Sequence, residues 1–284
     1  MWSRVTTLSN HHLAKDTLPE TEFDSIRPWM NSRFHICTKN GQKYLLKRED
    51  TKDDSDNIDH EYLVGLELNK LRPVNPHFVG TILLSHNLKP VMEKGSPTKY
   101  LLLEHVEGSV IKSSWQLHDL LRIFLQLSAC LEQVQNVGFT HFNMHHLNGI
   151  MKNLGQDYIL RYPGFELQTN SLLVLIDFGR SHTYATGGHQ VKDKNVKNSY
   201  FPEHDLMYFI FSCILPGHRK EALEILEFYG YREIPSRART KFLRSLDQIK
   251  IKLHSTSTLA KFLAKRFGFT TVYDKNCPVY KYQE

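Results

Sequence analysis

Short apolar, β-prone runs dominate the first part of the chain and predict strands. The stretch RFHICTKNGQKYLLKRE contains two such runs joined by Asn40-Gly41, which is a strong signal for a tight hairpin turn. HFVGTILLS and KYLLLEHVEG predict two further strands, the second of which is closed by Gly108. We therefore expect a small antiparallel sheet that starts near Arg33.

A helical pattern lies between these strands, in SDNIDHEYLVGLELNKLRP. Its apolar residues have the spacing of the buried face of an amphipathic helix. They are Ile58, Leu63 or Val64, Leu68 and Leu71. Pro73 should end the helix, because proline cannot continue the backbone hydrogen bonding. One helix is thus expected to pack on the sheet.

The pattern changes after Gly108, where helical spacing replaces the strand-like runs. SSWQLHDLLRIFLQLSACLEQVQNVG predicts a long helix, for which Ser113 and Gln116 are a candidate capping box. Its single apolar stripe consists of Leu117, Leu120, Leu121, Phe124, Leu131 and Val134. Further helical patterns occur at about 203–215, 218–230, 236–253 and 256–266.

The order of these elements predicts an α+β protein with two lobes. Residues 1–32 are expected to form a partly ordered N-terminal segment, and residues 33–106 a small lobe of antiparallel sheet with one helix. Residues 107–284 are expected to form a larger, mainly helical lobe, with a hairpin inserted at about 153–172.

The composition is that of a folded protein, since 284 residues of which 40% are hydrophobic and 23% charged can bury a core. Lys and Arg exceed Asp and Glu by 36 − 30 = 6, and this excess is scattered except in SRARTKFLRS near residue 236. Such a surplus permits contact with nucleic acid, acidic proteins or anionic lipid. A solvated basic helix face is the simpler interpretation.

The expected setting is intracellular. The four cysteines are widely spaced and form no C-x-x-C pair, which is typical of reduced thiols. The first residues lack a continuous apolar segment, and no window approaches the roughly 18 apolar residues that span a bilayer. We therefore expect a soluble protein of the cytoplasm or nucleus, without a transmembrane segment.

Candidate chemistry is concentrated in GFTHFNMHHLNGIMK and, further on, LLVLIDFGRSH. Asp177 ends an apolar strand in the second segment, where a carboxylate is costly unless it meets a cation or a hydrogen-bond donor. His141 and His145 are spaced i, i+4 in the first, with His146 adjacent, so two imidazoles could face one zinc ion. Zinc is not favoured, because no cysteine or carboxylate lies within eight residues of them.

The two segments together resemble the catalytic loop and metal-binding turn of the protein-kinase fold, which read H-R-D-L-x-x-x-N and D-F-G. His141 and Asn148 match the loop histidine and asparagine, and Asp177 matches the aspartate of D-F-G. Phe142 replaces the arginine, and Asn143 replaces the catalytic aspartate. The resemblance implies a bilobal fold and ATP with Mg²⁺ as cofactors.

The resemblance extends to both sides of these segments. Lys47 ends a strand as the V-A-I-K lysine does, and Glu61 is the best candidate for its helix glutamate, with Glu67 as the alternative. Asp205 resembles the aspartate that opens the central helix of the larger lobe.

YLLLEHVEG resembles the strand that links the two lobes and lines the adenine pocket. Leu103 lies at its inner end. The backbone of Glu104 to Val106 is implied to face the base.

A narrower resemblance is to the divergent kinase-like proteins of large nucleocytoplasmic DNA viruses of the iridovirus, ascovirus and marseillevirus type. Their loop runs G-F-T-H-Y-D-L-H-x-x-N, which makes His145 a family feature. The interval of 29 positions from Asn148 to Asp177 also resembles theirs, and DYILRYPGFELQT within it predicts an extra surface hairpin turning at Pro163-Gly164. The resemblance covers residues 33 to about 215.

Two departures affect what the resemblance implies. In phosphoryl transfer, the strand lysine holds the α/β-phosphates, the D-F-G aspartate and loop asparagine hold Mg²⁺, and the loop aspartate accepts the proton. Lys47, Asp177 and Asn148 keep the first two roles available. Asn143 is no base near neutral pH, and a positioned acid–base group typically contributes about 10²- to 10⁴-fold in rate.

The second departure concerns the glycine-rich loop that covers the phosphates in kinases, since no glycine precedes Gly41. FDSIRPWMNSRF offers Pro28, Trp29 and Arg33 where that loop should lie. Arg27 or Arg33 could supply charge in its place.

These observations leave three functions open. The first is a pseudokinase that acts as a binding or regulatory module on a protein of a host or viral kinase pathway. The second is a weak or atypical protein Ser/Thr kinase that uses Lys47, Asn148 and Asp177. The third is a small-molecule kinase of the aminoglycoside or choline type, which still needs the aspartate that Asn143 replaces.

Overall fold

The protein has a mixed α+β architecture. Its computed structural model describes residues 23–29, 33–49, 57–86, 99–188, 200–231 and 254–281. The strands of the first sheet are β1 (Ser25–Trp29), β2 (Phe34–Lys39), β3 (Gln42–Arg48), β4 (Thr81–His86) and β5 (Lys99–Glu104). They pair antiparallel in the order β1-β2-β3-β5-β4. The predicted antiparallel sheet is therefore confirmed.

The sheet begins one strand earlier than the predicted start near Arg33. β1 pairs with β2 from Ser25 opposite Thr38 to Trp29 opposite Phe34. The sequence pattern did not predict β1, because β1 contains Pro28. Proline lacks the backbone N–H that a residue of a central strand donates to its neighbour. β1 is an edge strand, where proline is tolerated because only one side of the strand is paired.

The hairpin predicted at Asn40-Gly41 is present between β2 and β3. Both residues are left-handed, with φ of 51° and 74°. This backbone matches the twist of the flanking strands and explains the preference for Asn-Gly.

Helix α1 (Ile58–Asn69) packs on this sheet, as predicted. Asn57 caps it, because its side chain accepts the N–H of His60 at 3.0 Å. Val64 is buried, whereas Leu63 is 47% exposed, so Val64 is the apolar residue of the buried face. The helix ends four residues before Pro73.

Four further α-helices follow in the described residues. They are α2 (Leu117–Gln133), α3 (Pro202–Phe209), α4 (Arg219–Phe228) and α5 (Thr256–Phe267). A π-helical turn, Ile210–Ile214, continues α3. The predicted helix at 236–253, with its basic residues, lies outside the described residues.

The predicted start of α2 is wrong in detail. Gln116 occupies the N-cap position without a side-chain hydrogen bond, so there is no capping box with Ser113. The predicted single stripe is also too narrow, because every residue from Ile123 to Leu131 is buried. A helix buried on all sides must be covered by more than one element.

A second sheet supplies part of that cover. It consists of β6 (Gly108–Val110), β7 (Gly149–Tyr162) and β8 (Phe165–Leu175), in that order. β7 and β8 form a long hairpin that turns at Pro163-Gly164, as predicted. Two short strands, β9 (His182–Thr183) and β10 (Gly187–Gly188), pair further along the chain.

The expectation that this hairpin lies on the surface is correct for its turn, where Pro163 and Gly164 are exposed, but wrong for its inner face. Leu160 and Leu167 are 4% and 0% exposed and belong to the main hydrophobic core. Gln126 of α2 also binds the β8 backbone, accepting the N–H of Leu173 at 2.8 Å and donating to the carbonyl of Ser171 at 3.2 Å. The hairpin therefore covers α2, which explains why α2 is buried all round.

A buried histidine ties both ends of the hairpin to the chain before β4. His77 Nδ1 lies 2.7 Å from the carbonyl of Leu173, near the base, and Nε2 lies 2.9 Å from the hydroxyl of Tyr162, at the tip. One histidine can touch both ends only if the hairpin curls, and its pairing shifts register between Asn153 and Tyr158. Because a carbonyl only accepts, Nδ1 carries the proton and Nε2 accepts from Tyr162.

The final residues pair with the outer part of the same hairpin. Ile159 donates its N–H to the carbonyl of Pro278 at 2.8 Å, and Tyr280 donates to the carbonyl of Ile159 at 3.0 Å. This pairing covers backbone groups that would otherwise form an open sheet edge.

Within the residues that the structure describes, no helix is both long enough and apolar enough to cross a membrane. All four cysteines are buried and have free thiols.

The burial of the hairpin generates a stability prediction. Leu167→Ala should lower the free energy of unfolding by about 2–4 kcal/mol, because it leaves a cavity in the core. The matched control Leu63→Ala, on the exposed part of α1, should cost less than about 1 kcal/mol. Urea unfolding of both variants measures the difference. Equal small effects would show that the hairpin is not part of the core.

His77 generates a pH prediction. Burial lowers the pKa of His77 to about 4, although the Leu173 carbonyl opposes the shift. An unfolded histidine has a pKa of about 6.5. Between these values the unfolded state binds more protons, so stability should fall as pH falls from about 6.5 to about 4.

His77→Gln should flatten that pH dependence of the unfolding free energy, whereas His118→Gln, at an exposed position, should preserve it. Urea unfolding across this pH range provides the measurement. An unchanged slope in His77→Gln would show that another group is responsible.

Candidate functional site

A buried lysine joins three elements of the fold. Lys47 Nζ, at the end of β3, lies 2.6 Å from Glu61 Oε2 on α1 and 2.6 Å from Asp177 Oδ1, just after β8. Lys47 and Glu61 are 3% and 1% exposed, whereas the Asp177 side chain is 36% exposed. The structure thus brings together three of the predicted site residues. Of their side chains, only that of Asp177 is accessible to solvent.

The local sequence explains why Glu61 rather than Glu67 meets the lysine. Glu61 shares the buried face of α1 with Val64 and Leu68. Glu67 points outward and pairs with Lys70 at 2.7 Å. The alternative that the sequence left open is therefore decided by which face of the helix packs on the sheet.

Asp177 is held in an unusual state. Its φ of 68° lies in the left-handed region, which is costly for a residue other than glycine and is found mostly at functional sites. Burial alone raises the pKa of Asp177, but the charge and hydrogen bond of Lys47, with smaller effects of His141 and Arg33, hold it at about 2. Asp177 is therefore ionised at neutral pH and suited to a cation.

A second buried carboxylate shapes the histidine-rich loop. Asp205, in the first turn of α3, accepts the N–H of His141 at 2.6 Å and of Phe142 at 2.9 Å. Phe142 has a φ of 59°, a strained value for a bulky residue. The two hydrogen bonds to Asp205 stabilise this bend, so α3 determines the path of the loop.

Further hydrogen bonds join the loop to the strand end that carries Asp177. His141 Nε2 donates to the carbonyl of Ile176 at 2.9 Å, and Ile176 donates its N–H to the carbonyl of Asn148 at 3.1 Å. Asn148 Nδ2 donates to the carbonyl of Asn143 at 3.0 Å. Asn143 and Asn148 are consequently tied by hydrogen bonds to Ile176, the residue directly before Asp177.

Aromatic side chains pack behind this unit. Phe178, the residue after Asp177, is fully buried and makes edge contacts with Phe78, Phe139 and His141 at ring-centroid distances of 6.2, 6.1 and 5.9 Å. This packing fixes the backbone on which Asp177 stands.

Asn148 and Asp177 each carry a side-chain oxygen of the kind that binds hard cations such as Mg²⁺. Asn148 uses its Nδ2 in the bond to Asn143, which leaves Oδ1 as a ligand. Asp177 uses Oδ1 in the bond to Lys47, which leaves Oδ2. Mg²⁺ commonly takes one or two protein carboxylates and completes its shell with water and phosphate, so these are the two residues that could hold it here.

The histidines considered for zinc have other partners. His141 donates to Ile176, and His145 Nδ1 accepts the N–H of Leu147 at 3.2 Å. No group of three or more His, Cys, Asp or Glu side chains in the described part of the chain is arranged to hold a metal ion.

The predicted adenine-facing linker begins where β5 ends. Leu103 is buried, and Glu104 donates its N–H to the carbonyl of Gly80 at 2.8 Å. The Glu104 side chain also binds Arg72 and the N–H of Gly80. Val106 is half-buried against the main core. Leu101, also on β5, pairs with Lys47 on β3. The linker therefore starts, at Glu104, three residues along β5 from the strand partner of Lys47.

His60 makes a further contact at the site that the sequence did not predict. His60, beside Glu61 on α1, donates through Nε2 to the carbonyl of Ser181 at 2.6 Å. Together with the two ion pairs of Lys47, this bond closes a ring of contacts between β3, α1 and the segment after β8. The one feature of the sequence that could have pointed to this hydrogen bond is the position of His60 next to Glu61.

Comparison with protein-family models and with curated proteins gave no match to this chain. The site is therefore interpreted from its own geometry.

The burial of Lys47 generates a stability prediction. Lys47→Met leaves two carboxylates without their shared cation, and loss of one partner of a buried ion pair typically costs about 3–5 kcal/mol. Lys70→Met breaks a Lys–Glu pair of similar length in which the lysine is 66% exposed, and it should cost less than about 1 kcal/mol.

Chemical denaturation of the two variants at neutral pH tests this contrast. If both variants lost a similar free energy of unfolding, burial of the Lys47 ion pairs would not be the source of their stabilising effect.

Proposed function

We propose that this protein is a pseudokinase with a bilobal, protein-kinase-like fold, in which a nucleotide site is retained and the catalytic base is lost. The observation that carries the proposal is the double ion pair of Lys47 with Glu61 and Asp177, both at 2.6 Å. Lys47 and Asp177 are 130 positions apart in the sequence. Phosphoryl-transfer sites of this fold require a strand lysine paired with a helix glutamate and a nearby aspartate that holds Mg²⁺, and these are the residue types brought together at Lys47.

The loop geometry supports the same proposal. Asp205 binds two backbone N–H groups of the loop, and Asn148 is oriented by Asn143. In this interpretation the five-stranded sheet with α1 is the small lobe, and the helices with β6 to β8 form the larger one. The nucleotide would lie between them, with its base toward the backbone of Glu104 to Val106 and its phosphates toward Lys47.

Each retained residue has a separate role. Lys47 would bind the α/β-phosphates, and Glu61 would keep its side chain extended toward them. Asn148 and Asp177 would hold Mg²⁺, which when bound neutralises phosphate charge. His141 and Asp205 would position the loop.

Asn143 is the reason for proposing a pseudokinase. Its position belongs to the group that accepts the proton of the attacking hydroxyl, and an amide cannot do so near neutral pH. The retained site would then serve to bind nucleotide and a protein partner of a host or viral kinase pathway, with nucleic acid as the alternative suggested by the basic segment.

A weak protein Ser/Thr kinase is the second candidate. It is favoured by the complete set of Lys47, Asn148 and Asp177, because phosphoryl transfer depends mostly on positioning and charge neutralisation. The relationship to the kinase-like proteins of large DNA viruses is part of the same proposal and rests on the loop pattern around His145.

Nucleotide binding and turnover distinguish the candidates. Wild type should gain thermal stability with ATP and Mg²⁺ but show little phosphotransfer to a generic protein substrate. Asn143→Asp should raise phosphotransfer by at least about 100-fold, because it restores the proton acceptor. Asn153→Asp is the matched control, since Asn153 is exposed on β7 and its side-chain oxygen only accepts from Gly155.

The outcomes separate cleanly. Full turnover by wild type would replace the pseudokinase with the active kinase. Absence of any nucleotide effect would contradict both. An Asn143→Asp variant that binds nucleotide without turnover would show that more than the base is lost.

A further inference from the structure

Large side chains lie at the adjoining ends of β1 and β2, on either side of the position where a kinase would carry its glycine-rich loop. Trp29 ends β1 opposite Phe34, and their rings meet edge to face at a centroid distance of 6.4 Å. The sequence has no glycine from residue 1 to residue 40. Close approach of backbone N–H groups to a phosphate is therefore not supported by these residues.

Arg33 occupies the position from which a side chain can take over. Its carbonyl accepts the N–H of Arg48 at 2.7 Å, which fixes it beside the end of β3. The guanidinium carbon lies 5.9 Å from the centre of the Phe34 ring. Phe34 is the cross-strand partner of Lys47, and such partners project from the same face of a sheet. The guanidinium is thus on the face that carries Lys47.

Two positively charged side chains, Arg33 and Lys47, thus share one face of the sheet. A triphosphate carries several negative charges, so a second cationic side chain beside Lys47 suits it.

Arg27 lies further from Lys47 along the sheet. It pairs with Ile36, and Ile36 pairs with Leu45, two positions before Lys47 on β3. Of the two arginines considered from the sequence, Arg33 is therefore the one next to the Phe34–Lys47 pair.

We propose that Arg33 binds the terminal phosphates of the nucleotide and so replaces the glycine-rich loop. The inference rests on the proposed nucleotide site and adds the group that recognises the phosphates. Arginine suits this task because its planar guanidinium can donate two parallel hydrogen bonds to phosphate oxygens.

The first experiment compares Mg·ATP with adenosine by isothermal titration calorimetry. Arg33→Ala should weaken ATP binding by about 10- to 100-fold, the usual effect of losing a hydrogen bond to a charged group, and leave adenosine within about twofold. Arg33→Lys should give a smaller loss, because it keeps the charge without the paired donors. Arg161→Ala is the matched control, because Arg161 is 66% exposed and pairs with Glu166 near the turn of the β7–β8 hairpin, and it should change ATP binding by less than about twofold.

The second experiment uses inorganic tripolyphosphate with EDTA and without Mg²⁺. This probe has no adenine and needs no metal on Asp177, so it reports direct contact with Arg33 rather than an effect through the carboxylate. Wild type should bind it, and Arg33→Ala should bind it at least about tenfold more weakly. Urea unfolding of each variant establishes that it is folded.

Each result decides something. A loss for ATP and tripolyphosphate with adenosine unchanged supports the role of Arg33. Equal losses for ATP and adenosine, or none, overturn it while the nucleotide site stands. Binding of tripolyphosphate through Arg33 without any binding of ATP or adenosine would overturn the nucleotide site but keep Arg33 as a phosphate ligand. A wild type that binds neither ATP nor tripolyphosphate overturns both.

Discussion

The need to neutralise a buried lysine constrains the whole site. Lys47 lies almost without solvent between Glu61 and Asp177, and a charge removed from water is tolerated only with close opposite charge. Its two partners come from a helix and from the end of a distant strand. The two ion pairs of Lys47 therefore hold α1 against β3 and hold the segment after β8 against both. The hydrogen bond of His60 to the carbonyl of Ser181 adds a direct link between α1 and that segment.

A second buried carboxylate, that of Asp205, is likewise stabilised by close partners, in this case in the loop that carries His141. Asp205 is fully buried and is satisfied by the N–H groups of His141 and Phe142, which allows Phe142 its strained backbone. Strain at Phe142 and at Asp177 is thus balanced by specific hydrogen bonds and ion pairs. Residues that carry such strain cluster at functional sites, and the proposed nucleotide site contains both.

The long β7–β8 hairpin links the core around α2 to the chain before β4. Leu160 and Leu167 enter the core, Gln126 satisfies the β8 backbone, and His77 bonds to both ends of the hairpin. These contacts connect the hairpin with the chain leading to β4, and hence with the sheet that carries Lys47. The apolar residues of β7 and β8 alone gave no sign of this cover, because strand periodicity does not say which element lies against a face.

The sequence by itself determined what depends on local pattern: the Asn40-Gly41 turn, helix α1, the hairpin turn at Pro163-Gly164, and the residue types that can form a lysine–carboxylate site. Only the tertiary structure decided what depends on distant contacts. It selected Glu61 over Glu67, extended the sheet to β1 despite Pro28, and placed the Arg33 guanidinium near Phe34, the strand partner of Lys47. The physical reason is that periodicity specifies which face of an element is apolar, whereas packing and charge pairing between distant segments specify what that face meets.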